Sequence, residues 1–295
     1  MKLHPSSRLH RVNRSVPCPI CQRPDWCMVS AHGDLAVCCR SESEHPAPPF
    51  QGWIHSVPPR QRPLPEHVRR ASAPQVPHEL RDFADLLARD IECFDAKRRS
   101  MVAESLGLEP CAFEQYPLGF RPSMNALAVP SMRCEAPRIC GIRLRRIPPA
   151  AHGPKWSCER GSTAGLLLPH CPPSATSPII LCEGPSDTLA CAQLGLHAVG
   201  RWSCGLDPLS LETLAHHVRD IERPTILVFG DNDGERETGK RGADAAASAV
   251  VERLTGAVVR RAQPPAGVKD LRAWVIEGAT AADVLDAGGE VRRGS

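Results

Sequence analysis

The chain has 295 residues, of which 42% are hydrophobic and 4% aromatic, and its formal net charge is +3. This length allows about two domains, and the hydrophobic content is enough for a packed core. The sequence has no apolar run near the ~18–20 residues that cross a bilayer, and its first residues lack the apolar core of a signal peptide. These features argue against a helical membrane protein and predict a soluble cytoplasmic one.

Residues 1–43 hold five of the 14 cysteines, in a short, polar and turn-rich stretch. A C-x2-C turn presents two thiolates to one tetrahedral Zn²⁺, and a later pair can complete the site. In a cytosolic chain such clusters indicate metal ligands rather than disulfides. A fragment this small has too little core to fold without a cross-link such as a bound metal ion. We predict a zinc ribbon over residues 1–43 with the ligands Cys18, Cys21, Cys27 and Cys38, and either Cys39 or His32 as an alternative ligand.

Residues 44–78 are dense in proline, which resists helix and sheet, and we predict an extended linker there. From about Glu79 the apolar residues recur at helical spacing. A second helix is predicted over about Ala96–Leu106, ending at Gly107, and a short third one over Glu109–Tyr116.

Short strand patterns occupy about residues 127–168. In the run Ile142–Arg145, alternation puts both arginines on one face of the strand and the aliphatic residues on the other. We therefore predict that residues 79–177 form a region that is helical and rich in β-strands.

Strand and helix patterns then alternate over residues 178–290, which predicts an α/β domain with a parallel sheet. Two apolar runs in it, 178–183 and 225–230, end on or just before acidic residues. The carboxyl ends of parallel strands meet at one sheet edge, where ligands bind. Carboxylates from both strands would converge there and could hold a divalent cation. The acidic residues at and after these ends are Glu183, Asp187, Asp231 and Asp233.

The segment Gly234–Arg241 almost matches the phosphate-binding pattern G-x-x-x-x-G-K-[ST]. However, Arg241 replaces the hydroxyl residue that would bind Mg²⁺, and the loop carries acidic residues that would repel phosphate. We interpret the segment as a loop and helix start, without ATP hydrolysis.

These motifs resemble the Toprim domain of bacterial and phage DnaG-type primases, topoisomerases and related nucleases. The glutamate that closes one strand, the D-x-D about fifty residues later and the subsequent Lys269-Asp270 carry the resemblance. The segments around Gly107, Gly141–Arg145 and Gly161–Leu167 are similar to the region before Toprim in primases of phages and mobile elements. The N-terminal cysteines are similar to the zinc ribbon of such proteins.

Nucleotidyl transfer needs cations that reduce the charge of the triphosphate and activate the attacking 3′-oxygen. We assign Glu183, Asp231 and Asp233 as catalytic residues, with Asp231 and Asp233 as ligands of Mg²⁺ or Mn²⁺. Glu183 is either a further ligand or the group that handles the proton, and Asp187 is a further ligand or a supporting group. Basic side chains suit the phosphates of a template or nucleotide. The candidates are Arg143, Arg145, Lys155 and Lys269.

The resemblance implies a DNA primase that copies single-stranded DNA into short RNA from ribonucleoside triphosphates. Because no helicase pattern accompanies the Toprim motifs, we expect the helicase to be a separate protein or to be recruited in some other way. Two alternatives stay open. A Toprim nuclease would use the same cations to cut DNA, and a recombination mediator resembling RecR would pair a cysteine zinc site with Toprim and only bind DNA.

Overall fold

The computed structural model describes residues 9–13, 15–30, 33–47, 52–57, 81–136, 138–148, 156–202, 205–232 and 238–290. The chain forms two compact units, Met1–His78 and Glu79–Ser295. Five residues named in the sequence analysis lie outside the described residues: His32, Glu79, Lys155, Asp233 and Gly234. No helix in the described part of the chain is long and apolar enough to cross a membrane.

The first unit contains an antiparallel sheet of four strands in the order β1-β2-β3-β4. Its strands are β1 (Leu9–Arg11), β2 (Met28–Ser30), β3 (Leu35–Cys38) and β4 (Trp53–Ser56). Strand β4 pairs with all of β3, so the prediction that 44–78 is linker throughout is wrong for this stretch. Ile54 is buried against Val37 and Ala47, and this apolar contact holds the strand in place despite the prolines around it.

The second unit contains seven helices and ten strands among its described residues. The helices are α1 (Ala84–Glu92), α2 (Ala96–Leu106), α3 (Pro185–Gln193), α4 (Pro208–His217), α5 (Thr238–Arg253), α6 (Leu271–Ile276) and α7 (Ala281–Asp286). The strands are β5 (Gly119–Arg121), β6 (Ala126–Met132), β7 (Ile139–Arg146), β8 (Trp156–Cys158), β9 (Leu166–Leu167), β10 (Ile179–Cys182), β11 (His197–Arg201), β12 (Thr225–Phe229), β13 (Val258–Ala262) and β14 (Gly288–Glu290).

All ten strands belong to one mixed sheet, in the order β14-β13-β12-β10-β11-β9-β6-β7-β8, with β5 paired to β6. Strands β13, β12, β10 and β11 are parallel to one another. The remaining pairs are antiparallel, including β9 with β11. The predicted boundary at residue 178 therefore marks a change from antiparallel to parallel pairing within a continuous sheet of one compact unit.

Local signals account for the helix ends. Asp95 caps α2 by accepting from the Arg98 amide, and Gly107 ends it with φ 68°, as predicted. The helical pattern from Glu79 produces α1, which begins at Ala84. The third predicted helix is shorter than expected, because only Pro110–Phe113 is helical, as a 3-10 turn.

Strands β10 and β12 are buried on both faces, which explains their uninterrupted apolar runs. Alternate residues of β10 and β12 enter two separate cores. One core receives Ile180, Cys182, Leu227 and Phe229, and the other receives Ile179, Leu181, Ile226 and Val228. Cys182 and Cys191 are fully buried in the first core, as expected for core residues.

Candidate functional site

Two acidic residues lie side by side at the carboxyl edge of the parallel strands. Glu183 follows β10, and Asp231 follows β12 after one glycine. Strands β10 and β12 are direct neighbours, and the backbone N–H of Asp231 donates to Glu183 Oε2 at 3.4 Å. The pairing of the strands therefore brings together two of the three predicted catalytic residues.

Asp187 lies in the first turn of α3 with only 6% of its surface exposed. Its Oδ1 accepts a hydrogen bond from the Arg272 amide at 3.1 Å. Burial, followed by the negative charges of Asp270 and Glu183, raises its pKa to about 6. Asp187 is therefore a buried carboxyl group among other carboxylates, where a cation would favour its ionised form.

The Lys269-Asp270 pair lies at the start of α6. Asp270 caps this helix by accepting from the Ala273 amide at 2.8 Å, and Lys269 Nζ lies 3.7 Å from Asp270 Oδ2. The Lys269 side chain is 66% exposed. Asp270 thus belongs to the acidic group through its effect on the pKa of Asp187, a role that its sequence motif did not indicate.

Asn232 connects the loop after β12 to the segment before α6. Its amide N–H donates to the Lys269 carbonyl at 2.7 Å, and its side-chain Nδ2 donates to the Val268 carbonyl at 2.7 Å. Asn232 therefore holds the chain next to Asp231 against the Lys269-Asp270 segment.

Arg201, which the sequence analysis missed, lies beneath the acidic edge. It ends β11 and is 1% exposed. Its Nε donates to the Cys182 carbonyl at 3.3 Å and its Nη2 to the Phe229 carbonyl at 2.6 Å. These carbonyls belong to the last residues of β10 and β12, so one buried cation joins the two strand ends that precede the acids. The available signal was an arginine that closes an apolar strand.

Arg143 and Arg145 share one face of β7, as predicted, and the Trp156 ring lies beside both. The Arg143 guanidinium carbon lies 4.9 Å from the centroid of Trp156 and 5.1 Å from that of Trp202. Its Nη1 also donates to the Trp202 carbonyl at 2.9 Å. Burial lowers the pKa of both arginines, so neither is a simple solvent-facing charge.

Of the two arginines on this face of β7, Arg145 is the one whose charge interacts with the acidic group. It is 6% exposed, and its pKa is lowered by burial and by Arg272, while Asp187 and Asp270 act in the opposite direction. Within the described part of the chain, the Nε atoms of Arg143 and Arg145 are buried and have no hydrogen-bond partner. Unpaired buried donors are costly and call for an explanation.

The first unit carries the only group of three or more metal-binding side chains with closely spaced donor atoms among the residues that the structure describes. The four sulfur atoms lie within 4.8 Å of one another, with 3.7 Å between Cys21 and Cys27 and 3.9 Å between Cys27 and Cys38. Tetrahedral Zn–S bonds of ~2.3 Å place sulfur atoms about 3.8 Å apart, so the cluster fits zinc. Its members are the four predicted ligands, Cys18, Cys21, Cys27 and Cys38.

Neighbouring groups compensate the charge that this cluster would carry as thiolates. The amides of Arg40 and Ser41 donate to Cys38 Sγ at 3.4 and 3.3 Å. Burial would raise the pKa of Cys21, but hydrogen bonds from the Arg23 backbone and the Arg40 side chain lower it to about 7. Cys39 Sγ instead donates to the Trp26 carbonyl at 3.0 Å, outside the four-sulfur group.

The chain matches no protein family and no curated protein. Five chains of solved structures are similar to it. One is the RNA polymerase domain of Mycobacterium tuberculosis primase DnaG, crystallised in complex with double-stranded DNA. The two chains share 15% identity with a TM-score of 0.44, and the similarity covers 69% of this chain and 77% of that one.

Proposed function

We propose that the chain is a Toprim-type DNA primase, which makes short RNA primers on single-stranded DNA from ribonucleoside triphosphates. The observation that supports this most is the contact between the Asp231 amide and the Glu183 carboxylate at the ends of two neighbouring parallel strands. This contact places two carboxylates at the sheet edge where α/β proteins bind their substrates and cofactors. Carboxylate oxygens are the ligands that Mg²⁺ prefers.

In this proposal Glu183, Asp231 and Asp233 hold Mg²⁺ or Mn²⁺. The bound cations supply charge neutralisation of the triphosphate and activation of the attacking 3′-oxygen. Asp187 supports the site from below. Burial, followed by the negative charges of Asp270 and Glu183, raises its pKa, and a bound cation would offset that negative charge. Arg201 keeps the two strand ends at a fixed separation through its bonds to their carbonyls.

The basic residues then bind phosphates. Arg145 is suited to this because it is close enough to Asp187 and Asp270 to interact with their charges and has a buried donor without a partner. A phosphate oxygen would satisfy that donor. The exposed Lys269 and also Lys155 are assigned the same role at the template or the incoming nucleotide.

The first unit is assigned a structural Zn²⁺ bound by its four clustered cysteines, and the zinc ribbon is assigned the choice of initiation sequence on the template. Its small apolar core alone is a weak basis for folding, and metal binding would supply the missing free energy. The helicase that opens the duplex is a separate protein in this proposal.

The decisive assay incubates the zinc-loaded chain with single-stranded DNA, labelled ribonucleoside triphosphates and Mg²⁺ or Mn²⁺. We expect RNA oligomers from the wild type and none above background from Asp231→Ala or Glu183→Ala. Asp220→Ala is the matched control, because Asp220 is 87% exposed, and it should retain full synthesis. Shortened DNA instead of RNA would identify a nuclease, and DNA binding without any product would identify a mediator.

A further inference from the structure

Two tryptophans and two arginines form a continuous array on one side of the large sheet. In order they are Trp202, Arg143, Trp156 and Arg145, and successive members lie 5.1, 4.9 and 5.5 Å apart, measured from each guanidinium carbon to the adjacent ring centroid. Such distances are those of cation–π contacts. The array thus alternates flat aromatic rings with flat guanidinium groups.

Both ends of the array lead to the acidic edge. Trp202 directly follows Arg201, the last residue of β11, and β11 is the neighbour of β10, the strand that Glu183 follows. Neighbouring strands are about 4.8 Å apart, so the backbone of Trp202 lies beside the segment that follows β10 and begins at Glu183. At the other end, Arg145 pairs in register with Trp156 and interacts with the charges of Asp187 and Asp270.

The two rings are held in place but are not fully covered. Arg143 contacts both rings and donates to the Trp202 carbonyl, which fixes their positions relative to β7. Trp156 also packs partly against the core. Both tryptophan side chains nevertheless remain partly exposed, so each offers ring surface to a ligand.

We propose that Trp156 and Trp202 form a stacking platform for a nucleobase, supplied either by single-stranded DNA or by a ribonucleoside triphosphate. The site is assigned to a nucleobase because a planar π-system is combined with adjacent arginines that can bind the attached phosphates. This proposal rests on the proposed function for its place beside the catalytic residues. It extends that function by naming the part of the substrate that the rings bind.

The first test measures the affinity of the full zinc-loaded chain for two short, labelled single-stranded DNAs. The two DNAs have the same number of phosphates, but one carries bases and the other is abasic. We expect the wild type to bind the DNA with bases about 5- to 150-fold more tightly, the range for stacking of one base on an aromatic side chain. Trp156→Leu and Trp202→Leu should each reduce this preference markedly. The conservative variants Trp156→Phe and Trp202→Phe should keep most of it, which separates lost stacking from a disturbed fold.

Ile91→Ala is the matched control, because it removes an exposed apolar side chain of the same unit, 41% exposed, and should leave the preference unchanged. A second arm measures binding of ATP against inorganic triphosphate in the same variants. Loss of base preference in the DNA arm identifies the template as the occupant, and loss in the ATP arm identifies the nucleotide. If all four tryptophan variants keep the wild-type preference in both arms, or the wild type shows none, the platform does not exist.

RNA synthesis measured in parallel separates this proposal from the proposed function. If the base preference depends on both tryptophans but no RNA is made, the stacking platform is supported and the primase assignment is overturned. RNA synthesis combined with an unchanged base preference in the leucine variants would overturn the platform alone.

Discussion

The amide of Asp231 donates to the carboxylate of Glu183 at 3.4 Å, although the two residues are 48 positions apart in sequence. The contact exists because β10 and β12 are neighbours in the sheet, with the intervening β11 placed on the other side of β10. Parallel pairing then brings both carboxyl ends to one edge. Arg201, from β11, joins the same two strand ends from below.

Arg201 should therefore be important for stability as well as for the site. Arg201→Met leaves the Cys182 and Phe229 carbonyls without this donor, and unsatisfied buried groups cost about 1–3 kcal/mol each. We expect the free energy of unfolding to fall by about 2–6 kcal/mol in chemical denaturation. Arg219→Met, at a side chain 57% exposed, should change it by less than about 0.5 kcal/mol. Equal effects of the two substitutions would contradict the structural role.

Arg121, whose side chain is 11% exposed, should be as sensitive. It contacts Asp90 through Nε at 3.1 Å and Nη2 at 2.6 Å, and it also pairs with Glu159. The Asp90 side chain is 6% exposed, so Arg121→Met would leave a buried carboxylate unpaired and should cost about 3–5 kcal/mol in the free energy of unfolding.

The exposed ion pair between Arg253 and Glu212 provides the comparison for Arg121. Both side chains are nearly half exposed, at 45% and 49%, and Arg253→Met should cost at most about 1 kcal/mol. Chemical denaturation of both variants at the same pH checks the difference. A loss for Arg121→Met no larger than that for Arg253→Met would show that the buried network is not needed.

Metal analysis tests the choice of zinc ligands. We expect about one Zn²⁺ per purified chain, and Cys27→Ser should lose most of it because four thiolates are needed to close a structural site. Cys39→Ser should keep its zinc, since Cys39 lies outside the four-sulfur group, and so should Cys111→Ser at an exposed position. Zinc loss in Cys39→Ser as large as in Cys27→Ser would contradict the assignment.

The stability of the second unit should depend on pH through His197 and His217. Their Nε2 atoms lie 3.0 Å apart, and burial lowers the pKa of each from 6.5 to about 4, with His197 and His216 adding to the effect on His217. As the pH falls, these two histidines therefore bind protons at a higher pH in the unfolded chain than in the folded chain. The free energy of unfolding should be constant above about pH 6.5 and should decrease from there to about pH 4.

Urea unfolding at pH 7.5, 6 and 5 measures this dependence. The double variant His197→Gln/His217→Gln should show a clearly smaller decrease than the wild type over this range. His170→Gln, at an exposed position, should behave like the wild type. An unchanged decrease in the double variant would show that other groups cause it.

Features set by local sequence were predictable. Helix α2 and its end at Gly107 follow from apolar spacing and a residue that accepts positive φ. The four-cysteine group follows from C-x2-C spacing, because the turn itself brings two sulfur atoms together. The acidic strand ends were predictable because a buried parallel strand has an unmistakable apolar run before its polar end.

Features set by long-range pairing were not predictable. The prolines around strand β4 favoured the prediction of a linker there. The strand forms because it pairs with the edge of β3. The contacts of Arg143 with Trp156 and Trp202 join residues from three separate strands or strand ends, so no spacing along the chain reveals them. Arg201 was missed for the same reason, since its partners lie on two neighbouring strands.

The central claim is that Glu183 and Asp231 belong to one divalent-cation site, and binding of Mn²⁺ to the full zinc-loaded chain, followed by electron paramagnetic resonance, tests it most directly. We predict that the wild type binds Mn²⁺, that Glu183→Gln and Asp231→Asn each weaken binding by more than about tenfold, and that the exposed control Asp220→Asn binds like the wild type. Equal Mn²⁺ affinity in all four proteins, or no binding by the wild type, would contradict the claim.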